Sequence, residues 1–295
     1  MNTIGRKKFN SDTVFNIVVY TIAISLAALW LYPLIYVVSA SFSTPESLLS
    51  GEVVLLPKSF NFSAYKYIFQ DSGILTGYRN TIFYSVVGTV YNMLLTICAA
   101  YPLSRPDLKG RGGLTLMMTF TMFFGGGMIP TYLNIRDLGL YNSLWALILP
   151  GMISVYNSII CRTAIEGVPE SLKESAYIDG ANDIIIVFRI ILPLIMPTIA
   201  VLLLYYGVGH WNAWFNASIY LQDNELLPIQ NIMRSILIAN SNILNAAAAE
   251  NDQTNQFAES IKYATIILTT VPVLCIYPFL QKYFVKGVMV GAVKG

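Results

Sequence analysis

The side chains able to do chemistry are concentrated in one stretch. Glu166, Glu170, Glu174, Asp179 and Asp183 stand close together with Lys173 between them, flanked on both sides by long apolar runs. Elsewhere the chemistry thins out. His210 is the one histidine; with no second ligand in view, a buried, hydrogen-bonded imidazole is its expected role. Cys98, Cys161 and Cys275 lie in or beside apolar runs, without metal-ligand spacing, so neither a zinc site nor a disulfide framework is readable. No Gly-x-x-x-x-Gly-Lys-Ser/Thr phosphate loop occurs, and Gly125 to Gly127 sit in an apolar run with no Lys after them. An integral membrane enzyme acting on lipid or glycan would need acid, base or metal-ligand residues gathered at one membrane face. Only the carboxylates of 166–183 offer anything of the kind.

The elements that hold this stretch are set by composition. The chain has 295 residues, 55% of them hydrophobic and 12% charged, which cannot clothe a soluble domain. Apolar windows near 14–38, 81–101, 113–133, 144–161, 190–210 and 263–281 contain no Asp, Glu, Lys or Arg and have about the length needed to cross roughly 30 Å of hydrocarbon. In lipid every backbone polar group must be paired within the segment, so these windows are helices. Pro33, Pro102, Pro130, Pro193, Pro197, Pro272 and Pro278 fall in or beside them as tolerated kinks.

The expectation is an all-α integral membrane protein, residues 1–295 forming one transmembrane domain of six helices. With the N-terminus inside, 12 of the 18 Lys and Arg lie on inner segments, the bias of cytoplasmic loops. Both termini are expected in the cytoplasm. The first window, longer than a signal-peptide core, reads as a retained anchor despite Arg6 to Lys8 before it and Val38-Ser39-Ala40 near its end. Outer loops are expected near 39–80 and 211–262; Asn240 to Gln256 within the second reads as a short helix or a linker. Net charge +2 gives no ground for nucleic acid or an anionic substrate.

The inner loop 166–189 has its own organisation. Pro169 suits a first helical turn, and Glu170 and Glu174 favour the positive N-terminal half, so a helix over about 169–178 is expected. Gly180 permits a sharp exit. A second helical segment then runs from Ala181 through Phe188 into Ile190–Pro193, making a compact helix-turn-helix on the cytoplasmic face.

Here the chain resembles the permease subunits of bacterial ABC importers. Their loop reads Glu-Ala-Ala, three residues, Gly, nine residues, then Ile-x-Leu-Pro. Glu174-Ser175-Ala176 precedes Gly180, with Ile190, Leu192 and Pro193 in register; Ser175 alone departs. Asp179-Gly180-Ala181 and Pro197 resemble the carbohydrate-uptake, maltose-type branch. Gly125–Tyr132, Gly209–Asn212, Tyr277–Tyr283 and Gly291–Gly295 are similar to its oligosaccharide and polysaccharide permeases. The resemblance implies a bacterial cytoplasmic-membrane subunit, itself non-catalytic. It also implies a second permease, two ATPase subunits that bind ATP and Mg, and an extracytoplasmic solute-binding protein.

In such an assembly the loop serves as a rigid protrusion seated on the ATPase. Ser175 and Ala176 allow close backbone approach, Glu174 offers a carboxylate to a basic groove, and Leu172, Ile178 and the alanines, Ala176 and Ala181, form the apolar contact. Pro169, Asp179 and Gly180 shape the helix ends. A charged linker with ordinary caps is the plain alternative. The absence of ionisable groups from the spans argues against an ion-coupled carrier.

For the solute, Asn80, Asn92, Tyr132, Trp211 and Asn212 are candidates along the path, although helix-to-helix hydrogen bonding explains intramembrane Asn equally well. Trp30, Trp145 and Trp214 read as interfacial anchors. Gly125 to Gly127, Gly207 and Gly209 read as points of close approach or flexing. Cargo of another class, such as a peptide or polyamine, is the alternative to a sugar.

Overall fold

The computed structural model describes residues 11–70, 72–247 and 259–276, together with Pro278 and Gln281. Every regular element among them is helical. In chain order the helices are α1 (Ser11–Ser41), α2 (Pro45–Leu49), α3 (Ser63–Gln70), α4 (Ser72–Ser104), α5 (Arg111–Phe123), α6 (Met128–Asp137), α7 (Val155–Glu166), α8 (Glu170–Ile178) and α9 (Asp183–Ile186). They continue as α10 (Leu192–Leu194), α11 (Met196–Trp211), α12 (Trp214–Tyr220), α13 (Ile229–Ala247) and α14 (Glu259–Ile276). The chain divides into two compact units.

The first unit takes in α1 to α3 with residues 237–247 and 259–268. α1 is apolar on all sides and exposed throughout its most hydrophobic window, the surface of a helix meant for lipid or a partner helix. Beyond it the chain folds back on the helix end instead of running as an open loop. Ser39 Oγ donates to the Leu55 carbonyl (2.6 Å), Ser43 Oγ accepts from the Lys58 N–H (3.1 Å), and Phe42 stacks on Tyr65.

The second unit takes in α4 to α12 with residues 229–236 and 269–276. α4 is its axis and packs against α7 and α11. Several of the apolar windows are broken more sharply than the proline kinks expected from the sequence. Helices α1, α4 and α14 can each cross a bilayer alone, whereas the other three apolar windows are broken pairs. α5 and α6 meet at 110° across Phe124–Gly127, where Gly127 adopts φ +86° and ψ 177°, a region essentially reserved for glycine. The 144–161 window opens with two 3-10 turns, Leu144–Leu147 and Leu149–Gly151, and bends by 52° into α7. Ser154 caps α7, accepting from the Asn157 N–H.

The fifth window bends by 88° at Ile195. Pro193 and Pro197 each remove an N–H from the ladder around that point, and Val187–Ile191 winds as a π-turn. The helical segment after Gly180 thus starts at Asp183, not Ala181, and is α then π in character. Within the stretch expected to form the second outer loop, α13 is helical through Ala247; residues 248–256 lie outside the described residues, as do most of Tyr277–Tyr283 and all of Gly291–Gly295.

Broken helices free carbonyls that water cannot reach in lipid, so neighbours must pair them. Asn92, 1% exposed on α4, does this for the fourth window. Its Nδ2 donates to the carbonyls of Gly151 (2.7 Å) and Met152 (2.9 Å). Since carbonyls only accept, the amide nitrogen faces them and Oδ1 faces His210 Nε2, 2.6 Å away. The imidazole therefore carries its proton on Nε2. His210 lies against Gly88, where a Cβ would come within 2.5 Å of the ring. Close by, the Thr96 and Tyr206 hydroxyls pair at 2.7 Å between α4 and α11.

Replacing Asn92 by Leu leaves two carbonyls and one imidazole N–H unpaired and is expected to cost about 2–4 kcal/mol. The readout is the unfolding midpoint of the purified chain in mixed micelles. A midpoint equal to that of the parent chain would show that this amide holds nothing together.

Candidate functional site

The loop between α7 and α11 is built from a helix stop followed at once by a helix start. α8 ends in paired backbone bonds: Ala181 N–H to Ala176 C=O (2.9 Å) and Gly180 N–H to Tyr177 C=O (3.0 Å). Gly180 sits at φ +80°. This is the Schellman ending, whose left-handed position glycine fills without a Cβ penalty. Asn182 then caps α9, its Oδ1 accepting from the Ile185 N–H at 2.9 Å. Pro169 stands one position before α8, at its cap, and not inside the first turn.

α8 has two distinct faces. Ala176, 7% exposed, belongs to the apolar core with Ala100, Cys161, Ile165, Val168 and Ile186; Ala181 packs against the same cluster. Both alanines thus contact their own chain rather than presenting an outward surface. Lys173 is also turned inward, its Nζ 3.1 Å from Glu170 Oε2. Ile178, 86% exposed, points away from that core with Glu174 one turn before it, while Leu172, 43% exposed and four residues before Ala176, borders the inner face; Ser175 and Asp179 are also exposed. Ser175 Oγ donates to the Ser171 carbonyl.

A polar cluster that the sequence reading did not single out fastens this hairpin to the foot of α4. Asp183 Oδ1 accepts from the hydroxyls of Tyr101 (2.6 Å) and Tyr177 (2.5 Å) and from Arg105 Nη1 (2.9 Å). Arg105 also holds Asp107 through two parallel bonds, at 3.0 and 2.9 Å. Asp183 precedes the apolar 190–210 stretch. The two phenol hydroxyls, and then the Arg105 charge, keep its carboxyl below the ordinary range. Asp107 is likewise held down by its hydrogen bonds from Arg105. A second clamp joins α5 to α7: Arg111 and Arg162 both engage Glu166, and Arg162 Nη1 donates to Thr115 Oγ1 (2.9 Å).

The five residues proposed along a solute path do not converge. Asn80 and Asn92 lie 12 residues apart on α4, about 18 Å along its axis. Asn80, 4% exposed, donates to the carbonyls of Glu225 (2.6 Å) and Leu227 (3.1 Å). Asn92 is committed to the contacts described above. Trp211 is 6% exposed and its indole N–H donates to the Thr269 carbonyl at 3.1 Å. Tyr132 lies between Tyr141 and Tyr220. Asn212 alone among them is exposed, its Oδ1 3.4 Å from Gln230 Nε2.

Beside Asn212 stands a group the sequence did not flag. The Arg234 guanidinium lies over the Trp214 indole, 3.9 Å from the ring centroid. Asn231, one turn earlier on α13, donates to the Trp214 carbonyl (3.1 Å) and Ser218 Oγ (2.8 Å). Trp214 thus serves as a packing platform within the chain, beyond the anchoring role expected of it. Arg234 offered only one cue: a basic residue on the polar side of an otherwise apolar helical pattern.

Comparison with known proteins gives consistent results. Residues 72–290 match the family model described as "Binding-protein-dependent transport system inner membrane component". The chain is 42% identical over 284 residues to the polygalacturonan/rhamnogalacturonan transport system permease protein YtcP of Bacillus subtilis (strain 168), covering 96% of this chain and 99% of that protein. It is 41% identical over 274 residues to protein LplC of the same organism, covering 92% and 91%. Among solved structures, a chain of a bacterial ABC transporter involved in import of the acidic polysaccharide alginate superposes with TM-score 0.83 at 34% identity, covering 96% of this chain and 100% of that one.

Replacing Asp183 by Ala removes the acceptor shared by Tyr101, Tyr177 and Arg105. Amide hydrogen exchange at 172–181 is then expected to quicken about tenfold. In the parent chain the sign follows from the lowered carboxyl: protection persists from neutral pH down to the ordinary carboxylate range, about pH 4, and is lost as Asp183 protonates below it. Exchange at 172–181 that is indifferent both to the substitution and to acid would show that the cluster does not hold α8.

Proposed function

This chain belongs to the family of binding-protein-dependent transport system inner membrane components, and on that premise we propose that it is the permease subunit of an ATP-driven saccharide importer. Its cargo on this reading is an oligosaccharide or polysaccharide fragment delivered by a solute-binding protein. The chain moves solute and makes no bonds. A second permease completes the pathway, two ATPase subunits with ATP and Mg supply the energy, and both termini lie in the cytoplasm.

The observation that carries this reading is the two-faced character of α8. Its outer side carries Ile178, 86% exposed, with Glu174 one turn before it, while Leu172, 43% exposed, stands about 120° away around the helix. That pattern suits a groove on a partner protein, where a few desolvated side chains carry most of the contact energy. Its inner side is fixed through Ala176 to the core and through Tyr177 to the Asp183 cluster. A displacement of α8 by a nucleotide-driven partner therefore moves α4 through Tyr101 and Arg105, and α9 to α11 through Asp183. α4 in turn packs on α7 and α11. Reorientation of these helices around the pathway is the alternating-access step of the proposal.

Ile178→Asp, at an exposed position, is expected to leave folding intact while reducing saccharide uptake roughly tenfold or more in proteoliposomes holding the full importer. ATP hydrolysis in that variant should stop responding to loaded binding protein. Gly180→Trp, strained at φ +80°, is expected to uncouple in the same way. Full transport by both variants, with normal stimulation of hydrolysis, would refute the assignment of α8 as the coupling element.

A further inference from the structure

Arg234 is held in an unusual way for an exposed basic residue. Its guanidinium carbon lies over the Trp214 ring, 3.9 Å from the centroid, and among the described residues it makes no ion pair. A guanidinium held over an aromatic ring keeps its N–H donors, two of which can serve a carboxylate through parallel bonds. The platform itself is fixed. The Trp214 carbonyl accepts from Asn231 Nδ2, and the Trp214 N–H donates to the Asn212 carbonyl at 2.9 Å.

The surroundings are those of a polar-ligand site. Asn212, Gln230 and Asn231 bring three amides within one turn of the stacked pair. A guanidinium held over an aromatic ring, with the exposed amide of Asn212 beside it, matches a sugar that carries both a carboxylate and hydroxyl groups. Lysine in its place would be a mobile point charge without the fork.

The geometry points to Arg234, propped by Trp214, as the contact that selects uronate-bearing saccharides over neutral ones. This rests on the saccharide-importer reading and adds the chemical class of the cargo. A large net charge is not needed for it: one held guanidinium suffices where +2 overall gives by itself no ground for an anionic solute.

The test uses the complete importer in proteoliposomes, with binding protein preloaded in turn with oligogalacturonide and with the same oligosaccharide methyl-esterified at its carboxyls. The parent complex is expected to take up the free acid about tenfold faster than the ester. Arg234→Gln should bring that ratio close to one by slowing the acid alone, and Trp214→Leu should move it the same way. A ratio unchanged in Arg234→Gln overturns the inference, as does a parent complex that shows no preference. Equal slowing of both sugars, with weaker docking of unloaded binding protein, also overturns it and makes Arg234 a docking contact. Failure of the parent complex to take up either sugar would instead strike the saccharide-importer reading and bring this inference down with it.

Discussion

Polar backbone exposed by a broken helix must find a partner inside the protein, and this one requirement organises the larger unit of the chain. Three apolar windows are interrupted by glycines, prolines or 3-10 turns. Each interruption leaves carbonyls and N–H groups that hydrocarbon cannot satisfy. Asn92 answers it for the fourth window by binding Gly151 and Met152, and with its remaining acceptor it orients His210. One side chain thus ties α4 to the break before α7 and to the end of α11. Comparable stitching recurs higher on α4, where Thr81 accepts from the Ile229 N–H and Asn80 binds two carbonyls of 225–227. α4 is one unbroken helix whose polar side chains secure its irregular neighbours.

The hairpin of α8 and α9 likewise depends on a few committed polar groups, placed differently. The Asp183 cluster is partly exposed, so its charges are worth less than their short distances suggest. Its value is geometric: three donors from α4, α8 and the following loop converge on one carboxylate oxygen. With Ala176 seated in the core, the hairpin has little freedom to slide independently of the helices above it. Rigidity on one side and an exposed Ile178 on the other are what a transmission element needs.

Much of this was legible in the residues. The apolar windows, the positions of α8 and Gly180, and the family resemblance of 174–193 follow from run length, turn chemistry and spacing. Breaks inside the windows were less legible, because Pro193 and Pro197 permit a kink of any size and composition says nothing of an 88° bend. At Ala176 a small residue suits close approach to any surface, and packing shows its contact with the core of its own chain. Asn80 and Asn92 suited solute contact and helix-to-helix bonding alike for a related reason, and the bonds they make are within the chain. An amide or an indole in an apolar run advertises hydrogen bonding without saying to whom. Arg234 and Trp214 are 20 positions apart, and nothing in that spacing foretells a stack.

The Asn92 contacts also bear on how the protein is made. Gly151 and His210 follow Asn92 by 59 and 118 residues, so at a synthesis rate of about 5–20 residues per second the histidine emerges roughly 6–24 s later. For the first half of that interval, until Gly151 and Met152 follow, a newly inserted α4 carries an amide with no mate in a solvent that offers none. Biogenesis must shelter the helix during the delay, at the insertion machinery or against a water-filled surface, until the rest of the bundle arrives to claim it.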